Sequence, residues 1–249
     1  MSKADVFSLD GRSLKKIDLP EQFSEELRID LIRRAFNAIR SHEVQPQGVT
    51  PRAGMRHSVF LRKRRHVFKS VYGYGRSRTP RKTMSRRGTR FSVVGTEAPF
   101  TIGGRRVRAP VSAKVIIEKI NVKERKKAIR SAISACKNLV IEDKLEGLSN
   151  TKKLVDTLSK NKVKVESVKR RYAGKAKMRG RTTRYKIGPL IITSGKSALI
   201  KAGSNLPGVE VISVKDLNVK ALAPGSKPGR LAVWSEAAVN KLRSEKLFK

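Results

Sequence analysis

The sequence contains one cysteine, Cys136, and only 20 acidic residues among its 249. A single cysteine excludes an internal disulfide framework and a zinc site built from cysteine thiolates. No apolar run approaches the roughly 20 residues that a membrane-spanning helix requires. The N-terminus carries Asp5, Asp10 and Arg12 where a signal peptide needs an apolar core. These absences predict a soluble intracellular protein without a membrane partner.

Positive charge is abundant. The chain has 58 lysines and arginines, which give a formal net charge of +38. Such a charge opposes compaction through self-repulsion, whereas a phosphate backbone relieves it. A nucleic acid is therefore the first partner to consider, ahead of a merely cationic soluble enzyme.

Residues 44–112, called the arm below, concentrate this charge. They hold 17 lysines and arginines against a single acid, Glu97, together with eight glycines, five prolines and six of the thirteen aromatic residues. No helical or strand period persists long enough to predict a packed element, and 69 residues are too many for an ordinary connection. We expect an arm that folds against a polyanion. The remaining residues, 1–43 and 113–249, are numerous enough for one globular α/β body.

The body shows alternating helix and strand patterns. Residues 4–19 predict a hairpin or two edge strands around Asp10-Gly11, and residues 24–40 predict an amphipathic helix capped by Ser24. Further helices are predicted at residues 121–138, 151–159, 196–202 and 235–246, and extended segments at 163–168, 190–193, 209–214 and 231–234. Apolar strands separated by helices indicate an α/β fold, a mainly parallel sheet with helices on both faces in a three-layer, Rossmann-like arrangement.

A second basic run lies inside the body. Residues 169–186 (KRRYAGKAKMRGRTTRYK) contain nine lysines and arginines and no acid. Gly174 and Gly180 favour a loop over a regular element.

Three motifs are candidates for catalytic or ligand sites. Gly195-Lys196-Ser197 follows a strand, but a phosphate-binding loop needs a glycine five positions before Gly195, where Leu190 stands. The Gly-Tyr-Gly of residues 73–75 fails the dinucleotide fingerprint because Arg78 occupies the sixth position.

The histidines form the third motif. His42, His57 and His66 do not have the spacing of a zinc site, and Cys136 is expected to be a small core residue of the 121–138 helix. We therefore predict no catalytic residues, no metal and no cofactor.

Binding remains. Arginine and lysine pair with phosphates, and the interleaved aromatic residues are suited to base stacking or to packing among themselves. No helix-turn-helix, zinc finger or basic zipper is present, so the mixture favours RNA over duplex DNA.

Ordered segments of the chain resemble a known family. DLIRRAFNAIRS, GYGRSRTPR, GGRRVRAP, ERKKAIRSAISA, KAKMRGRTTRYK and VKALAPGSKPGRLAVWSEAAVNKL resemble, in the same order, signatures of large-subunit ribosomal protein four in its archaeal and eukaryotic form. The resemblance covers nearly the whole chain.

The resemblance implies a non-enzymatic, structural component of the cytoplasmic ribosome, a monomer that contacts large-subunit rRNA and neighbouring large-subunit proteins and has no small-molecule substrate. Its α/β body would lie on the outside of the subunit, and its loop would thread into the rRNA and help to form the wall of the peptide exit tunnel. The tip would lie within residues 73–90, between limbs that include 62–65 and 105–108. The implied rRNA-binding residues are Arg52, Arg56, Arg62, Lys63, Arg64, Arg65, Lys69, Tyr74, Arg76, Arg78, Arg81, Lys82, Arg86, Arg87, Arg90, Arg105, Arg106, Arg108, Lys175, Lys177, Arg179, Arg181 and Arg184.

Two other classes of protein compete with this one. An RNA-modifying enzyme of methyltransferase type would use the parallel sheet as its cofactor platform, and a glycine-rich loop after the first core strand would favour it, but the sequence shows none. DNA-compacting proteins seldom need a large α/β body.

Replacing Arg62, Arg64 and Arg65 with alanine tests whether the arm meets phosphate. We expect weaker RNA binding and a salt dependence that flattens by up to about 0.7 to 0.9 log units per lost phosphate contact. Titration of RNA binding against salt concentration measures this slope, and an unchanged slope would contradict the assignment.

Overall fold

A computed structural model describes residues 3–68, 70–165 and 169–249. In chain order the strands and helices are β1 (Lys3–Phe7), β2 (Ser13–Asp18), α1 (Ile29–Glu43), β3 (Arg81–Arg87), β4 (Arg90–Gly95), α2 (Val122–Ala135), β5 (Lys137–Ile141), α3 (Thr151–Lys160), β6 (Lys169–Arg171), α4 (Lys175–Met178), β7 (Thr183–Tyr185), β8 (Leu190–Thr193), α5 (Leu199–Ser204), β9 (Glu210–Ser213), α6 (Val219–Leu222), β10 (Leu231–Ser235) and α7 (Glu236–Ser244).

The chain divides into two compact units. The first comprises Met1–Glu43 and Ile117–Lys249, and the second is Val44–Ile116, which contains the arm.

The first unit is built on a six-stranded sheet with the order β2-β1-β5-β10-β8-β9. Strands β1, β5, β10, β8 and β9 are parallel along this order, and β2 pairs antiparallel with β1 at the edge. The predicted mainly parallel α/β sheet is therefore confirmed, and so is the N-terminal hairpin.

Alternating strand residues supply the two faces of the sheet. Leu190, Ile192 and Trp234 belong to a core shared with α1, α2 and α7, whereas Ile191 and Val233 belong to a core shared with α3 and α5. All five side chains are fully buried. Helices thus cover both faces, as continuous apolar strands require.

Cys136 follows the last residue of α2 and is buried, with its thiol 3.7 Å from the Leu222 carbonyl oxygen. Burial raises the pKa of the Cys136 thiol to about 12. The predicted core role is therefore confirmed, although the residue lies between helix and strand. The helix predicted to reach residue 138 ends at Ala135, because the following residues pair as β5 with β10.

The first helix begins later than its pattern predicts. α1 starts at Ile29, and Ser24 instead ends a 3-10 turn at Glu21–Phe23. The Arg28 amide donates to Ser131 Oγ of α2 at 2.6 Å. This tertiary contact holds the backbone just before Ile29 outside the helix that the local pattern predicted. The cap prediction was therefore wrong.

The other helix boundaries differ less from their predicted positions. α3 follows its prediction within one residue, α5 begins three residues late at Leu199, and Ser235 caps α7 by accepting from the Ala238 amide. Of the extended segment predicted at residues 163–168, residues 163–165 have no regular structure and the rest lies outside the described residues.

Candidate nucleic-acid interface

The second unit has almost no core of its own. Among its described residues only Val71, Thr79 and Thr96 are buried. Its shape therefore depends on backbone pairing and on polar contacts of its basic side chains.

A β-hairpin forms the central feature of this unit, where the sequence predicted no packed element. Strands β3 and β4 pair antiparallel from Arg81 opposite Gly95 to Arg87 opposite Arg90, so that Gly88 and Thr89 alone make the turn. Gly88 has a φ of +57°, which suits glycine at a two-residue turn. The sequence signal for this hairpin is a glycine between two segments that contain threonine, serine and valine. The sequence analysis missed it because most residues of these strands are basic or polar.

The base of the hairpin is tied to the incoming limb. Phe60 and Arg81 exchange backbone hydrogen bonds of 3.0 and 3.3 Å. The Arg81 guanidinium donates to the carbonyl oxygens of Ser77 and Thr79 at 2.8 and 3.2 Å. The Arg81 guanidinium thus links the base of the hairpin to the backbone of the preceding segment, Ser77 to Thr79.

The two limbs run side by side farther from the tip. The Val49 amide donates to the Pro110 carbonyl oxygen at 3.3 Å. Gly54 lies so close to Arg105 that an added Cβ would come within 2.5 Å of the Arg105 Cβ. A glycine at position 54 is therefore required for the limbs to approach.

The predicted rRNA-binding side chains of the arm are largely exposed. Among those described, only Arg81, Lys82 and Arg105 are half-buried, and Lys69 lies outside the described residues. The exposed set comprises Arg52, Arg56, Arg62, Lys63, Arg64, Arg65, Tyr74, Arg76, Arg78, Arg86, Arg87, Arg90, Arg106 and Arg108.

Aromatic rings organise several of these guanidiniums. Arg86 lies 5.3 Å from the centroid of Phe91, and its Nε donates to the Gly88 carbonyl oxygen at 3.1 Å. Arg65 and Arg78 both lie over the ring of Tyr72. The sequence placed aromatic and basic residues in the same segment, but it did not indicate which would pair.

The second basic run is partly ordered by backbone pairing. β6 and β7 pair antiparallel, with Arg170 opposite Arg184, and enclose the short helix α4. Gly174 and Gly180 flank α4 with positive φ values of 60° and 74°. The predicted side chains Lys175, Lys177, Arg179, Arg181 and Arg184 are all exposed. A basic hairpin therefore replaces the expected loop, and these five charges are exposed to solvent.

The carboxyl ends of the parallel strands are where α/β sheets bind ligands. In this structure Glu146 occupies that edge. Its carboxylate accepts hydrogen bonds from the Ser194 amide at 2.6 Å, the Ser194 hydroxyl at 2.7 Å and the Ser235 hydroxyl at 2.5 Å. These are donors of the kind that an anionic ligand would use.

Two neighbouring acidic residues accept hydrogen bonds at the same edge of the sheet. Glu142 accepts from the Leu9 amide at 3.0 Å, and Asp143 accepts from the Ala237 amide in the first turn of α7. The segment that follows β5 thus supplies carboxylates to backbone and hydroxyl donors along this edge. Sequence patterns did not reveal these acids, since no local pattern pairs Glu146 with residues 48 and 89 positions away.

The remaining sequence candidates do not converge. His42, His57 and His66 have exposed side chains. Within residues 3–68, 70–165 and 169–249, no three histidine, cysteine, aspartate or glutamate side chains are grouped as metal ligands would be. No helix in these same ranges is both long and apolar enough to cross a membrane.

An α/β body that carries an exposed basic arm is suited to binding a nucleic acid, and sequence comparison gives the family. Residues 17–245 match the model of the ribosomal protein L4/L1 family. The chain belongs to this family.

Curated relatives extend the match over nearly the whole chain. The large ribosomal subunit protein uL4 of Nanoarchaeum equitans is 40% identical over 98% of this chain and 98% of its own length. The proteins of the same name from Methanocaldococcus jannaschii and Saccharolobus solfataricus are 36% and 37% identical, over 97% and 99% of this chain and 98% and 96% of their own lengths.

Replacing Glu146 tests whether its carboxylate stabilises the sheet edge. Alanine leaves the Ser194 and Ser235 donors without their acceptor, and we expect a loss of about 1 to 3 kcal/mol in the free energy of unfolding. Glutamine retains one acceptor oxygen, and the Ser194 hydroxyl accepts from its amide, so that Glu146→Gln should lose less than half as much. Chemical denaturation measures both values, and equal losses for the two variants would contradict the hydrogen-bonding role.

Proposed function

We propose that this protein is a structural component of the large ribosomal subunit that binds large-subunit rRNA, with its arm inserted into the folded RNA. The observation that carries the proposal is the second unit, in which 17 lysines and arginines of residues 44–112 face a single acid and almost nothing is buried among the described residues. Such a segment gains stability from phosphate rather than from a core. Family membership and the names of the archaeal relatives support the same role.

The arm acts by neutralising phosphates and by ordering as the RNA folds around it. The exposed arginines and lysines of the limbs bind the sugar–phosphate backbone. The hairpin tip, Arg87 to Arg90, lies deepest in the RNA and contributes to the wall of the peptide exit tunnel. The basic hairpin of β6 and β7 makes a further rRNA contact from the body, and neighbouring large-subunit proteins bind the assembled particle. The protein enters the ribosome as a monomer.

The protein is not an enzyme in this proposal. Glu142, Asp143 and Glu146 occupy the sheet edge at which a cofactor of an α/β enzyme would bind. That filled edge supports a structural role over the methyltransferase alternative, which requires an open platform for its cofactor.

Sedimentation of a lysate through sucrose in high salt tests the proposal. We expect the protein to remain in the large-subunit peak, because an inserted arm cannot leave unless the surrounding RNA unfolds. Immunoblotting of the fractions locates it. Release into the soluble top fractions would contradict a structural role and favour a transient RNA-acting factor.

The position of the tip is tested with a cysteine probe. Cys136 is buried and its thiol pKa is raised, so Thr89→Cys provides one reactive thiol at the hairpin turn. A cross-linker on this introduced thiol should capture a stalled nascent chain in assembled ribosomes, whereas the same probe in a Ser226→Cys variant, on the body, should not. Failure of the Thr89→Cys variant to cross-link to the nascent chain, once it is incorporated into ribosomes, would contradict the tunnel-wall assignment.

A further inference from the structure

Two arginines of the arm share one aromatic ring. The guanidinium carbon of Arg65 lies 4.5 Å from the centroid of Tyr72, and that of Arg78 lies 5.6 Å from it. Arg65 also donates from Nη2 to the Tyr72 hydroxyl at 2.9 Å. These three residues are called the Tyr72 cluster below.

The backbone that places Arg65 on the ring is held by Ser70. The Ser70 hydroxyl donates to the Arg64 carbonyl oxygen at 2.5 Å and accepts from the Tyr72 amide at 3.2 Å. A further bond of 2.9 Å joins the Ser70 amide to the Val67 carbonyl oxygen. The hydrogen bonds of the Ser70 hydroxyl therefore link the backbone at Arg64 to the backbone at Tyr72.

The chain then turns so that Arg78 reaches the same ring. Gly73 and Gly75 have φ values of +81° and +62°, in the region that favours glycine. A Cβ at either position would meet no atom within 4 Å. Glycine is therefore favoured at both positions by the positive φ of the backbone and not by a lack of room for a side chain.

The cluster gathers two positive charges on one ring. The sum of the two ring distances puts the guanidinium carbons of Arg65 and Arg78 within about 10 Å of each other. The only acid of residues 44–112 is Glu97. Two exposed cations at this distance repel each other by less than about 1 kcal/mol in water, and each contact with the ring contributes about 0.5 to 1 kcal/mol. The ring therefore holds both cations in place, and a phosphate between or beside the two guanidiniums would bind to them, since arginine binds phosphate with two parallel hydrogen bonds.

We propose that Tyr72 is a positioning residue that holds Arg65 and Arg78 as a clamp for the phosphodiester backbone of RNA. The proposal rests on the proposed rRNA-binding function and assigns a role that composition did not indicate, because an aromatic residue in a basic arm would otherwise be expected to stack on a base. Guanidiniums already lie over this ring. Tyr72 acts through its arginines.

Binding of the full chain to protein-free large-subunit rRNA, titrated over a range of salt concentrations, tests the clamp. Arg65→Ala and Arg78→Ala should each flatten the salt dependence by about 0.7 to 0.9 log units and weaken binding about tenfold. Tyr72→Leu removes no charge, yet it should flatten the salt dependence in the same direction because both guanidiniums lose their position. Tyr72→Phe keeps the ring and should stay closer to the wild type. Val115→Ala, which removes an exposed apolar side chain of the same unit outside the arm, serves as the control and should leave the salt dependence unchanged.

The outcomes separate the clamp from the function on which it rests. A Tyr72→Leu variant that binds more weakly with an unchanged salt slope would overturn the clamp in favour of base stacking. Wild-type binding with wild-type slopes in all the cluster variants would overturn the clamp and leave the rRNA-binding function standing. Absence of rRNA binding by the wild-type protein itself would overturn the proposed function.

Discussion

Uncompensated positive charge in the arm is the constraint on which the rest of the structure depends. Seventeen lysines and arginines share residues 44–112 with Glu97 alone, and among the described residues of this segment only Val71, Thr79 and Thr96 are buried. The segment therefore gains little from the ion pairs and the buried apolar surface that stabilise a free domain. Its order comes from main-chain pairing in β3 and β4 and from guanidiniums placed on carbonyl oxygens and aromatic rings. These contacts are local and individually weak. They set the shape in which the charges are presented, and we propose that a polyanion supplies the remaining stabilisation.

The body shows the opposite use of charge. Nearly all acids of the chain lie in this part, where they pair across elements: Arg130 meets Glu25 at 2.7 Å, and the buried Arg230 meets Glu210 at 2.7 Å. Arg230 also donates to the Gly188 and Ala221 carbonyl oxygens, joining the segments beside β8 and β10. At the other end of the same strands, Glu146 satisfies the donors of Ser194 and Ser235. Side chains of the protein itself thus occupy the sheet edge at which many α/β enzymes bind ligands.

The sequence predicts those elements whose stability depends on apolar periodicity. Leu190 to Thr193 and Leu231 to Trp234 are apolar nearly throughout, and they are the central strands β8 and β10. Where a tertiary contact competes, the pattern fails: Ser24 has the residue type of a helix cap, but the Ser131 hydroxyl binds the Arg28 amide and α1 begins after it. The β3–β4 hairpin was missed because its strands are mostly basic and polar, and strand pairing there does not rest on burial. For the interface, composition identified the basic side chains, whereas the pairing of Arg65 and Arg78 through Tyr72 requires a loop closed by Ser70 and turned at two glycines, which is information about backbone conformation.

Hydrogen–deuterium exchange of the full chain, free and bound to protein-free large-subunit rRNA, tests most directly whether the arm depends on a polyanion. We expect the amides of β3 and β4 to exchange rapidly in the free protein and to be slowed strongly by the RNA, while those of β5, β8 and β10 are protected in both states. Arm amides that are already as protected as the central sheet in the free protein, or that gain no protection on binding, would contradict this dependence.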